Sequence, residues 1–229
     1  MLASRAIALR SPDATSDKSK SANTSNMLKS WEVATPDATY SFDHVVIATA
    51  PQHLEALLPT SHALAELRSD INALAWEPIA TAYLQYPAEI RLPEPLIALN
   101  HGTAQWLADR GQLGGPSGLL AHVLSAHGDW EDLSNDALIG DLHDTSNEVF
   151  RQSGFSTPLP APLKALVIRE QRATFRCVPH IKRPMGRTAL PGLWLAGDYI
   201  ASDYPGTLEA AVRSGEAAAT GILAACGPA

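Results

Sequence analysis

Residues 190–225 read LPGLWLAGDYIASDYPGTLEAAVRSGEAAATGILAA, and the architecture of the chain follows from them. Pro191-Gly192 turns the chain into a short apolar run, residues 193–196, of the kind that forms a buried strand. The run ends in Gly197-Asp198, and a loop over 199–206 leads into a helix predicted over 207–225. Strand, turn and helix in this order are the unit of α/β domains, whose ligands sit past the carboxyl ends of the strands. The missing side chain of Gly197 lets a ligand approach the backbone closely. The Asp198 carboxylate can accept hydrogen bonds from sugar hydroxyls. Pro205-Gly206-Thr207 then brings up a helix N-terminus, whose free N–H groups and positive dipole end suit an electron-rich group. Ala211, Gly215 and Ala219, four apart, give that helix a narrow face of small side chains for close packing against a sheet or a cofactor.

The same α/β texture occurs near the other end. Residues 43–48, DHVVIA, contain an uninterrupted apolar run closed by Thr49-Ala50-Pro51, which predicts a second strand covered on both faces. Helices are predicted over 52–58 and 61–74, and a short strand over 30–34. Residues 3–9 alternate weakly, and the polar stretch 11–26 reads as a surface loop. Between the α/β ends lie strand-like segments at 79–86, 96–100, 104–109 and 118–125, separated by Pro and Gly, which predict an antiparallel meander. A helix follows over 134–152 with Ser134 as its N-cap. Pro158, Pro160 and Pro162 stiffen the next connection. Residues 163–176 are extended, with Arg169, Gln171 and Arg176 placed toward water. One domain, 1–58 with 177–229, is thus interrupted by another, 59–176.

Composition narrows the function classes. Apolar residues make up 45% of the 229 and charged residues 18%, which supports a folded core. A net charge of -7 argues against a broad basic face for nucleic acid. Two cysteines, Cys177 and Cys226, are too few for a disulfide framework or a cysteine zinc site. No apolar run reaches the roughly 20 residues of a spanning helix. The reading is a cytoplasmic protein, with peripheral contact at the inner face of a membrane left open. The histidines form no metal set. His122 and His127 lack a third ligand at usable spacing, and His143 shares no helix face with Asp141 or Asp144. Neither a G-x-S-x-G elbow nor a P-loop occurs. Trp106 and the apolar residues of 79–84 and 119–124 read either as core or as the lining of a pocket for a long apolar substrate.

The strand, the Gly-Asp pair and the PGTLEAAVRSG helix resemble the C-terminal FAD motif of the flavin amine oxidase and carotenoid desaturase superfamily. Three further segments, FDHVVIATAPQHLEALLP at 42–59, GTAQWLADRGQLGGPSGLLAHVLSA at 102–126 and QRATFRCVPHIKRP at 171–184, are similar to squalene-associated FAD-dependent desaturases, also described as hydroxysqualene dehydroxylases. The resemblance implies an α/β fold: an incomplete FAD/NAD(P)-binding Rossmann-like domain with an inserted β-rich (α+β) substrate domain. It implies FAD as cofactor, an apolar isoprenoid as substrate, and reduction of hydroxysqualene to squalene in hopanoid biosynthesis. It places Asp198 on the ribityl or phosphate portion, with Gly197 beside it. Thr207 and Leu208, following Gly206, meet the pyrimidine edge of the isoalloxazine. Thr49, Ala50 and Pro51 lie near the pyrophosphate, and Ala6 stands where the family has a valine whose backbone contacts adenine.

One departure is large. Members of the family carry a G-x-G-x-x-G fingerprint between a strand and a helix, and none occurs in these 229 residues; Gly114, Gly115 and Gly118 have another spacing. The resemblance therefore implies a truncated form, or half of a split enzyme whose N-terminal FAD-binding half is a separate chain, or a non-catalytic remnant. An amine oxidase or a carotenoid desaturase is the rival within the superfamily; for an amine oxidase only Tyr199 and Tyr204 offer aromatic rings in the closing motif. No catalytic acid or base is assigned from the sequence.

Overall fold

The computed structural model describes residue 6, residues 8–11 and residues 30–227. The chain forms two units, residues 1–75 with 175–229, and residues 76–174. The α/β ends thus group together in one unit, and the β-rich insertion forms the other. Most of the weak alternation at 3–9, and all of the polar stretch at 11–26 except Ser11, lie outside the described residues.

The first unit opens with a three-stranded antiparallel sheet, β1 (Ala8–Arg10), β2 (Trp31–Ala34) and β3 (Thr39–Phe42). Thr35 builds the β2–β3 turn: its hydroxyl donates to the Ala38 carbonyl and accepts from the Ala38 N–H. β4 (Val45–Ile47) follows, then a 3-10 turn at Pro51–His53 and a single helical turn, α1 (Leu54–Leu57). The helix predicted over 52–58 is shorter than expected, because Pro51 at its head favours a tight turn and Pro59 closes it. The helix predicted over 61–74 divides likewise. Ser61 caps a 3-10 turn, His62–Leu64, before α2 (Ala65–Asn72). Lys182 ties α2 to the far end of the chain through Glu66 at 2.8 Å and Asp70 at 3.1 Å, so α2 belongs with this unit.

The inserted unit is a five-stranded sheet backed by one helix. Its strands are β5 (Trp76–Gln85), β6 (Leu96–Ala98), β7 (Trp106–Asp109), β8 (Leu119–Ser125) and β9 (Lys164–Phe175), in the order β6-β7-β8-β5-β9. Strict alternation in β5 buries Ala80, Ala82 and Leu84 on one face. These residues, with Tyr86, Leu107, Leu120 and Leu124, form a core with Leu138, Leu142, Val149 and Phe150 of α3 (Asn135–Gln152). Ser134 caps α3 by accepting from the Ala137 N–H. Arg169, expected in water, instead turns its guanidinium over the Trp130 ring and donates to the carbonyls of Trp130 and Leu133. Gly140 lies on the exposed side of α3 with open space around it. Gly140→Ala is therefore expected to stabilise the protein by about 0.5–1 kcal/mol through the reduced entropy of the unfolded chain, read as a higher urea midpoint.

The second face of this sheet has no helix over it among the residues of its own unit. Register places Ala98, Trp106, Val123 and Thr81 in one row and Leu96, Ala108, Ala121 and Tyr83 in the next. Leu96 and Trp106 remain 52% and 44% exposed there, and Leu166 and Ile168 of β9 are also exposed. A groove of about 530 Å³ runs beside Tyr83, Gln85, Leu119, Leu163 and Leu166.

The chain returns to the first unit with β10 (Leu193–Leu195) and α4 (Leu208–Cys226). β10 pairs parallel with β4, Leu193 opposite Val45 and Leu195 opposite Ile47. No described helix is long and apolar enough to cross a membrane.

Candidate functional site

The two parallel strands end side by side, and Ala196 extends the pairing by donating to the Ile47 carbonyl at 3.0 Å. The turns that leave these carboxyl ends, 48–52 after β4 and 197–200 after β10, are where a sheet of this type presents ligand-binding groups. Thr49, Ala50 and Pro51 stand in the first turn, with Pro51 buried at the head of its 3-10 turn. Gly197 and Asp198 stand in the second. The Gly197 N–H donates to Ser214 Oγ at 2.8 Å, and that hydroxyl donates to the Ala211 carbonyl at 2.7 Å, fastening the strand end to α4.

Buried polar atoms gather in these two turns without partners. Thr49 Oγ1, Gln52 Oε1 and the Tyr199 hydroxyl are each shielded from water and make no hydrogen bond. Such groups normally find a partner, and leaving one unmade costs about 1–3 kcal/mol. Burial, and after it the Asp198 carboxylate, raise the Tyr199 phenol above its ordinary range, so it stays protonated and able to donate. The half-buried Asp198 carboxylate accepts no hydrogen bond from the described residues. Thr49 and Tyr199 can each give or take a hydrogen bond, the Gln52 amide oxygen can accept one, and Asp198 adds a carboxylate. This donor and acceptor set fits a polar, hydroxyl-bearing ligand such as a flavin nucleotide.

The helix N-terminus completes the arrangement. Gly206 precedes Thr207, whose side chain caps α4 by accepting from the Ala210 N–H at 3.2 Å, while the Ala211 N–H closes the first turn on the Thr207 carbonyl. The N–H groups of Leu208 and Glu209 precede any intrahelical acceptor. Leu208 is 88% exposed at this end of the helix. Ala6 lies elsewhere, exposed just before β1, whose sheet is distinct from the β4–β10 pair; β1 itself lies against α1.

Two sequence expectations change in detail. The space left by the absent Gly197 side chain is filled from within: a Cβ there would lie 2.3 Å from the Tyr199 ring. The buried face of α4 is Ala210, Ser214 and Ala218, one residue out of phase with Ala211, Gly215 and Ala219. Gly221 sets that phase, because a Cβ there would meet the Trp194 ring at 2.3 Å. Sequence reading missed Gln52, Ser214 and Arg183. A serine in an otherwise alanine helix face was the one local signal, for Ser214.

A family model described as flavin containing amine oxidoreductase matches residues 24–223. The chain belongs to that family. It is 31% identical to a hydroxysqualene dehydroxylase of Rhodopseudomonas palustris over 80% of its own length and 39% of the relative. A second hydroxysqualene dehydroxylase, of Sinorhizobium fredii, is 29% identical over 77% of this chain and 38% of the relative. The chain therefore spans about two fifths of the length of these curated relatives. The fold is shared with a putative protoporphyrinogen oxidase from Exiguobacterium sp. 255-15, at a TM-score of 0.61 and 13% identity, covering 96% of this chain and 46% of that one.

Proposed function

We propose that these residues form one part of an FAD-dependent oxidoreductase that acts on an isoprenoid and reduces hydroxysqualene to squalene. The observation that carries this reading is the set of unpartnered buried atoms of Thr49, Gln52 and Tyr199 in the turns past β4 and β10, in the unit that also holds the α4 N-terminus. The domain they belong to is read as a Rossmann-like FAD domain lacking its first βαβ unit. When bound and reduced, the flavin would supply the hydride that replaces the leaving hydroxyl, which departs with a proton as water.

The chain's own residues would bind and orient. Asp198 would accept from the ribityl hydroxyls, and Thr49 with Gln52 would meet the neighbouring polar groups. Thr207 and Leu208 would hold the α4 N-terminus toward the pyrimidine edge, where its dipole favours developing negative charge. The open apolar face of the inserted sheet, with its groove beside Tyr83, Leu119 and Leu166, supports a long hydrocarbon substrate. The fingerprint-bearing half would come from residues outside these 229, in the same polypeptide or in a separate chain. Two features support such a complement. Among the described residues no strand pairs with the second edge of β4, and α4 leaves Leu208, Val212 and Leu223 exposed.

Titration of FAD with the chain, followed by quenching of flavin fluorescence, tests the cofactor assignment. Saturable quenching is expected, with Asp198→Ala weakening it about tenfold, the scale of a lost charge-assisted hydrogen bond. Identical titrations for the two proteins would overturn the placement of Asp198, and absence of quenching would mean that this part holds no FAD without its fingerprint-bearing half.

A further inference from the structure

The loop from Asp198 to Tyr204 links β10 to α4 without regular structure, yet it must keep Asp198 and the helix N-terminus in fixed relation. Its backbone acceptors converge on one side chain. Arg183 Nη2 donates to the Asp198 carbonyl at 2.6 Å, and Nη1 donates to the carbonyls of Tyr204 at 2.6 Å and Ser202 at 3.2 Å. Nε donates to the Tyr199 carbonyl at 3.4 Å. All three guanidinium nitrogens are used, on four carbonyls spread over the whole loop. Beneath the guanidinium lies the buried Phe175 ring, 4.8 Å from Cζ. The next residue adds a backbone bond, Ala201 N–H to the Pro184 carbonyl at 2.9 Å. At the far end Arg213 stacks over the Tyr204 ring at 4.8 Å while pairing with Glu209 of α4.

We propose that Arg183 is a positioning residue for the candidate cofactor site, setting the Asp198–Tyr204 loop so that the Asp198 carboxylate and the α4 N-terminus address one ligand. The relevance to a cofactor rests on the flavin reading; the clamp itself does not. The chemistry calls for arginine. Several carbonyls in different directions need a planar fork with separated donors, and a lysine ammonium is a single point with three. The aromatic floor holds the fork flat, so the loop geometry is fixed before any ligand arrives. Short of that clamp, the four carbonyls would turn to water and the exposed part of the loop, 201–204, would sample many conformations, while Tyr199 and Ile200 stay buried.

The test compares wild type, Arg183→Met and Arg183→Lys by hydrogen–deuterium exchange of the ligand-free chain, then by FAD titration. In Arg183→Met the amides of 199–204 are expected to exchange at least about tenfold faster, while those of β8 and of the second half of α4 keep their protection. Arg183→Lys should restore little of this, although it keeps the charge and most of the stem. FAD affinity should fall in step with the local exchange, at an unchanged urea midpoint, which a merely structural arginine would not produce. Should Arg183→Met fail to fold, Phe175→Met, which takes away the aromatic floor but keeps a long apolar side chain in the buried site, must loosen the same amides. Unaltered exchange across 199–204, or a full rescue by lysine, would overturn the proposal. If wild type takes up no FAD without its fingerprint-bearing half, only the autonomous cofactor site falls, and the exchange experiment still decides whether Arg183 sets the loop.

Discussion

Gly118→Ala is expected to destabilise the inserted unit by about 3 kcal/mol or more, the sum of a left-handed backbone imposed on a side chain and an overpacked contact. Gly118 has φ +73°, and a Cβ there would lie 2.4 Å from the Pro87 carbonyl oxygen and 2.5 Å from that of Tyr86. Both obstacles are backbone. Neither can move freely, because the Tyr86 N–H donates to the Gly118 carbonyl at 2.8 Å and Gln85 Nε2 bridges the carbonyls of Tyr86 and Ser117. These bonds continue the β5–β8 ladder past its last pair, Gln85 with Leu119, so relief of the clash means opening the sheet at its centre. Gly114→Ala is the control. Its φ is +83° with open space around it, so it should cost only about 1–2 kcal/mol for the left-handed conformation. Urea unfolding followed by circular dichroism separates the two; equal losses would show that the close approach at Gly118 is relieved cheaply. The groove beside Gln85 and Leu119 is built at this same turn, so uptake of an apolar probe should fall with Gly118→Ala and not with Gly114→Ala.

What the sequence disclosed follows from which forces act locally. Apolar segments bounded by Pro and Gly are a local property, and they marked β5, β8 and β4, although Val46 of β4, expected to be covered, is 40% exposed. The cap of α3 was equally plain, since Ser134 and the Ala137 N–H are three residues apart. β3 was not, because TYSF, although it alternates, is only four residues long and lies on a mostly exposed hairpin arm. Helix phase was a subtler miss. A spacing of four among Ala, Gly and Ser fixes the period of α4 but not its rotation, and Trp194, held on β10, makes the choice by demanding Gly221. Arg183 and Arg169 were invisible for a related reason. Both spend their donors on carbonyls 15 to 39 residues away, and no pattern in the neighbouring sequence records that. The Gly-Asp turn and the capped helix were legible because ligand-facing groups at strand ends and helix N-termini follow from backbone geometry. The unpartnered atoms of Gln52 and Tyr199 needed the fold, since burial decides whether a polar atom lacks a partner.

The inserted unit should lose stability on mild acidification, well before its carboxylates titrate, because His122 cannot accept a proton where it stands. The ring is fully buried between β8 and α3, and burial depresses its pKa from 6.5 to about 4, with the carbonyls of Ala82 and Leu142 offsetting part of the shift. The hydrogen bonds explain why. Ser146 Oγ donates to the Leu142 carbonyl and must then accept from His122 Nε2–H, leaving Nδ1 as a bare acceptor with no partner. A second proton would sit on Nδ1, in the core, where the nearby carbonyls offset only part of the cost of burying the charge. In the unfolded chain the same ring protonates near 6.5. The unfolded state therefore binds more protons below that value, and stability falls as pH drops from 6.5 to about 4, then levels; the full loss is about 3 kcal/mol, at 1.36 kcal/mol per pKa unit. Surface carboxylates act elsewhere on the scale. Glu148, held down to about 2 by Arg151 and Gln152, matters only as pH falls below its ordinary 4.5. His122→Leu removes the buried base. It should cost about 1 kcal/mol at pH 7.5 for the lost hydrogen bond, yet flatten the decline between pH 7.5 and 4.5 by about 2–3 kcal/mol. Urea unfolding at the two pH values measures this directly. Equal declines in both proteins would mean that His122 charges without unfolding the unit around it, and that the pocket between β8 and α3 admits water or rearranges to hold the imidazolium.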